Sequence, residues 1–320
     1  MRTCLATGVV AATALALTSC AAGAGGDSAP GPGDVSLVAT TTPLGSVTSQ
    51  IAECAGGTSL TLMPVNADPH DFSASSAQVA DLARADLVIA NGLGLEGGLH
   101  SALEQIEADG TEVLDIAERV DPLPWGEGDH EGHEGHSHGE FDPHFWLDAA
   151  RMAEAAQLIG DTAVELTGDG EWARCGTEVS DELRSLDTEI RDTLSVIPEE
   201  RRILVSDHEA IGYFNAAYDF RSGGVVIPGG STEAQPSSRE LADLAADIRE
   251  QNIPVIFSSA TTNQALVEAV AAEAGEGVQV VPLHQGSVGP EGSAAADYQG
   301  MMRENARLIV DALGGESGLQ

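Results

Sequence analysis

Three histidines of this chain stand in short loops, each with an aspartate one or two positions before it: His70 in NADPHDF, His144 in FDPHFWLD and His208 in LVSDHEAIGYF. Neutral imidazole is a favoured ligand of borderline divalent cations, and a carboxylate beside it can hold the ring through its other nitrogen. Asp68, Asp142 and Asp207 occupy that place. The chemistry this set points to is capture of a metal ion. A lone histidine is more often structural, so the weight lies in one arrangement occurring three times.

Residues 129–148, DHEGHEGHSHGEFDPHFWLD, hold five of the nine histidines. His144 ends the FDPH motif. His130, His133, His136 and His138 alternate with glycine and acids without a helix or strand period, so 129–139 reads as a metal-attracting loop beside the site. The plain alternative is a solvated linker.

Elements must deliver these loops to one place. From Val35 onward, short β-rich runs alternate with helical patterns. Strands are expected at 35–40, 59–65, 86–92 and 111–116, then again at 202–207, 223–228, 253–259 and 278–283. Between the two sets, 148–166 and 171–197 keep apolar residues at three and four spacing, as in Val179, Leu183, Leu186, Ile190 and Leu194. Ser237 and Glu240 have capping-box spacing ahead of a helix at 238–251. The expected fold is α/β, with two similar lobes of mainly parallel strands joined by one long rigid helix. Its ligand cleft lies between the lobes, beyond the carboxyl ends of the strands. The lobes are expected at 35–166 and 199–315, with the connecting helix within 167–198 and a tail at 316–320.

The chain carries 14 basic and 51 acidic residues, a net charge of −37, and all the basic residues are Arg. Such a surface repels polyanions, so no nucleic acid is expected as a partner. It draws in cations, although acidity also serves solubility. Residues 1–19 read as a signal peptide, with Arg2, an apolar stretch, and then Leu-Thr-Ser before Cys20, an ending that resembles a bacterial lipobox. Cys20 would then carry lipid and tether the exported protein to the outer face of the cell membrane. Residues 20–34 would form a flexible Gly/Pro-rich stalk. With Cys4 in the leader, Cys54 and Cys175 remain, and an oxidising compartment favours their pairing; two separate buried thiols are the alternative.

The motifs DPHDF, DPHFWLD, SDHEAIGYF, GGSTEAQPS and ADYQGMMREN together resemble the solute-binding proteins of zinc and manganese ABC importers, the ZnuA/TroA-like family, from Val35 to about Leu313. That resemblance implies two α/β lobes on a backbone helix, with one divalent ion in the cleft held by His70, His144 and His208. It also implies an ABC permease with its ATPase as partner, and a monomer tethered through Cys20. A role as a surface adhesin fits the family's placement, but no feature of this sequence speaks for it.

One departure concerns the fourth ligand. Many relatives carry an Asp in a stretch like LYSDSLGP, whereas this chain reads LHQGSVGP at 283–290, with Gly286 in the acidic slot. Residues two apart in an extended segment share a face, which makes His284 one candidate substitute, beside a water, Glu209 or a histidine of the 129–139 insert. Three imidazoles without a carboxylate suit Zn²⁺ better than the oxygen-seeking Mn²⁺. The rival class is an exported zinc-dependent hydrolase with Glu209 or Asp207 as base, but the sequence lacks an HExxH helix motif or a nucleophile elbow. Because only neutral imidazole ligates, affinity is expected to fall as pH drops through about 6.5.

Overall fold

The computed structural model describes residues 35–125, 140–232, 234–260 and 262–314. The leader, Cys20, the 20–34 stalk, His130, His133, His136, His138 and the 316–320 tail lie outside the described residues.

Each half of the described chain builds one four-stranded parallel sheet. The first holds β1 (Ser36–Ala39), β2 (Thr58–Thr61), β3 (Leu87–Ala90) and β4 (Glu112–Asp115) in the order β2-β1-β3-β4. The second repeats that order as β6-β5-β7-β8, from β5 (Ile203–His208), β6 (Arg221–Ile227), β7 (Val255–Ser259) and β8 (Gln279–Leu283). The central strands LVIA of β3 and VIFSS of β7 are buried throughout. Parallel strands covered on both faces require such continuous apolar runs, whereas the edge strand β2 leaves three of its four residues exposed. In both sheets the strand order reverses beside the first strand, and ligands of open α/β sheets collect beyond the carboxyl ends of strands there.

Helices cross between the strands: α1 (Thr42–Ala55), α2 (Ser76–Leu82) and α3 (His100–Ala108) in the first half, α6 (Gly212–Tyr218), α7 (Ser238–Glu250) and α8 (Gln264–Ala274) in the second. The capping box read at Ser237 and Glu240 is formed, and Ser75 with Gln78 makes another at the start of α2. Between the sheets lie α4 (Ala149–Thr167) and α5 (Glu171–Leu194). With 24 residues, α5 spans about 36 Å at 1.5 Å per residue. Its apolar stripe, Val179, Leu183, Leu186, Ile190 and Leu194, is buried as the spacing predicts.

α4 and α5 cross at a glycine pair. A Cβ on Gly160 would lie 2.7 Å from the Trp172 carbonyl oxygen, and one on Gly176 would lie 2.9 Å from that of Ala156, so the backbones meet where no side chain fits. The disulfide Cys54–Cys175, with Cα atoms 5.8 Å apart, fastens α1 to α5. α9 (Tyr298–Leu313) follows the second sheet yet packs against α5 and α1. Gln299 and Gln50 exchange side-chain amide bonds across the α9 and α1 contact, and Arg303 grips both oxygens of Glu189 on α5. This return helix fixes the two lobes relative to one another, and through them the loops that face the cleft.

Candidate metal centre

The three histidines lie in β5 or in connections that follow strands β2 and β4. His70 follows β2, with Asn66 turning the chain at φ 64°; His144 follows β4 and precedes α4; His208 is the last residue of β5. They converge: one nitrogen from each ring lies within 4.8 Å of the other two, and the ring centres are 5.3, 5.5 and 5.8 Å apart. His144 Nε2 is 3.2 Å from His70 Nε2. Two ligands at the usual zinc–nitrogen distance of about 2.0–2.1 Å at tetrahedral angles would be about 3.3 Å apart, so this edge already has the spacing of a zinc shell.

The aspartates do different work. His144 Nδ1 lies 2.7 Å from Asp142 Oδ1, and His208 Nδ1 lies 2.9 Å from Asp207 Oδ1. A carboxylate accepts there, which puts the ring proton on Nδ1 and leaves Nε2 a free lone pair. Asp68 makes no such bond. Its Oδ1 accepts from the His70 backbone N–H and its Oδ2 from the Thr232 hydroxyl, so it ties the first lobe's loop to the second lobe instead of orienting a ring. The role expected of Asp68 is thus corrected: its side chain reaches across Pro69 to the main chain of its own loop.

Burial and the neighbouring rings His144 and His208 lower the His70 pKa to about 3, and burial with His208 holds His144 well below its ordinary value. For these two rings, proton competition therefore sets in well below the 6.5 expected from sequence, because desolvation disfavours imidazolium. The supporting carboxylates diverge. Burial pushes Asp142 up to about 7. Burial would also raise Asp207, but bonds from His208, the Thr262 hydroxyl and the Ser259 N–H outweigh it and hold it below the usual range.

Of the candidate fourth ligands, neither His284 nor Glu209 joins the cluster, and the insert histidines lie outside the described residues. After β8 the chain bends at Gln285, Gly286 and Ser287, so the two-residue alternation that would have aimed His284 at the cleft does not apply. His284 instead exchanges backbone bonds with the Asn305 side chain on α9, and its ring lies by Gly289. Glu209 sits in the turn after β5, outside the cavity formed by the histidines. That cavity is closed by Asp68, Pro69, Trp146, Thr232, Gln285 and Gly286. Trp146 stands 5.2 Å from His144, ring to ring, and donates its indole N–H to the Gln285 carbonyl. Sequence reading missed Trp146, Thr232 and Gln285 as walls of the site; the only signal was that Gln285 adjoins the vacant acidic slot.

A family model described as zinc-uptake complex component A, periplasmic (ZnuA), matches residues 37–312. The chain belongs to this family. The ZnuA family comprises solute-binding proteins of metal ABC importers, which work with a permease and an ATPase and are not enzymes, so the hydrolase reading is set aside. Among relatives, the manganese-binding lipoprotein MntA of Bacillus subtilis is 30% identical over 98% of this chain and 100% of its own length. The zinc-binding protein TroA of Treponema pallidum is 29% identical over 79% of this chain and 80% of its own. The solved structure of that periplasmic zinc-binding protein superposes with a TM-score of 0.77 at 28% identity, covering 88% of this chain and 99% of its own. ZnuA-family members thus carry names for both metals, and the cargo must be argued from this chain's own donors.

Proposed function

We propose that the protein captures Zn²⁺ outside the cytoplasmic membrane and delivers it to an ABC importer, with His70, His144 and His208 as ligands. The observation that carries this reading is the donor set: three imidazoles converge, and no Asp or Glu among the described residues joins them. Mn²⁺ prefers oxygen, whereas nitrogen-rich tetrahedral sites are common for zinc. Asp142 and Asp207 support two of the rings, and Asp68 with Thr232 closes the cleft around the third. The protein acts as a monomer held at the membrane by lipid on Cys20. The first lobe, the connecting helix and the second lobe divide as 35–166, 167–198 and 199–315, with the 129–139 histidines as an outlying collector of metal.

Titration of metal-free protein with Zn²⁺ and Mn²⁺, against a competing chelator, tests the reading. Wild type should take up one tightly bound zinc and hold manganese more weakly, and His208→Ala should lose tight zinc binding. Wild-type zinc affinity in His208→Ala would mean that the ion binds elsewhere.

A further inference from the structure

Gln285 is 1% exposed, and neither its Oε1 nor its Nε2 has a hydrogen-bond partner. A buried amide left wholly unpaired is costly and rare, so one that persists calls for a partner that arrives later. The residue borders two spaces. One is apolar, lined by Leu147, Leu204, Ile211, Phe214, Leu283 and Ile309, and its sole other polar member, Asn305, is spent on the His284 backbone. The other is the cavity of the three histidines.

Within that cavity the remaining polar groups are committed. Asp68 is bonded through both oxygens, the Thr232 hydroxyl donates to it, and the Trp146 indole is bonded to the Gln285 main chain. Glu209 Oε2 is also buried without a partner, but Glu209 does not line this space.

We propose that Gln285 supplies the fourth contact to the cargo ion through its side-chain carbonyl oxygen, replacing the carboxylate that Gly286 lacks. This rests on the reading of His70, His144 and His208 as ligands. All four donors are then neutral, so the bound ion keeps its full double charge and the harder Mn²⁺ is denied the carboxylate it favours. Gln285 thereby acts as a determinant of metal choice. Gly286 leaves the converse change open: a Cβ there would meet only the Pro69 side chain, at 3.4 Å, an ordinary contact.

The test compares Gln285→Leu, Gly286→Asp and His208→Ala by Zn²⁺ and Mn²⁺ chelator competition, together with thermal melting of the metal-free proteins. Removing an unpaired buried amide should leave metal-free Gln285→Leu at least as stable as wild type while its zinc affinity falls by about tenfold or more. A merely structural Gln285 would show the reverse, lower stability with affinity kept. Gly286→Asp should raise manganese affinity relative to zinc. Wild-type zinc affinity in Gln285→Leu overturns the inference; if His208→Ala nonetheless loses zinc, the three-histidine reading stands, and if both retain it, that reading falls as well.

Discussion

Zinc binding should tolerate acid far better than three exposed histidines would allow. An ordinary imidazole with a pKa of about 6.5 is about nine-tenths protonated at pH 5.5, which costs a metal roughly tenfold per ligand, or about a thousandfold for three. Here His70 is lowered to about 3 and His144 lies well below its ordinary value, both chiefly through burial, so at pH 5.5 neither competes. The apparent zinc Kd should therefore rise far less than a thousandfold between pH 7.5 and 5.5. Chelator competition at both pH values, corrected for the chelator's own protonation, measures it. A thousandfold loss would refute the reasoning, because it would mean that the rings titrate as if in water. The same shift has the opposite sign for stability of the metal-free protein. Below about pH 6.5 the unfolded chain binds protons that His70 and His144 refuse, so stability should fall with pH, by up to about 1.4 kcal/mol per unit for each ring.

Three further outcomes follow from the packing. Asp142→Asn removes the carboxyl group 2.7 Å from His144 Nδ1 and should weaken zinc binding by about 10- to 100-fold in the same competition assay, with little change in fold by circular dichroism. Replacing Cys54 and Cys175 by serine opens a cross-link of sequence separation 121, worth about 5 kcal/mol in the chain-entropy account, and should lower Tm by about 10 °C while zinc affinity stays within a few-fold. Gly160→Ala forces a Cβ onto the Trp172 carbonyl and should cost about 1–3 kcal/mol in urea unfolding, whereas Gly170→Ala, with open space around it, should be nearly neutral.

Much of the frame is legible along the chain because its signals are local. The runs at 86–92 and 253–259 announce buried parallel strands, the stripe from Val179 to Leu194 announces α5, and Ser237 with Glu240 announces the start of α7. The convergence of the three histidines is foreshadowed for the same reason, since each stands with an aspartate one or two residues before it. Tertiary structure alone decided how those pieces are used. Asp142 and Asp207 reach the rings that their spacing pairs them with, but that Asp68 reaches Thr232 instead of a ring depends on how the lobes meet, which no spacing encodes. That His284 bonds to Asn305 while Gln285 lines the cavity of the histidines depends on a bend after β8, which the return of α9 through Asn305 holds in place. Periodicity along a sequence records which face of its own element a residue occupies; which other element that face meets is settled only when the chain closes on itself.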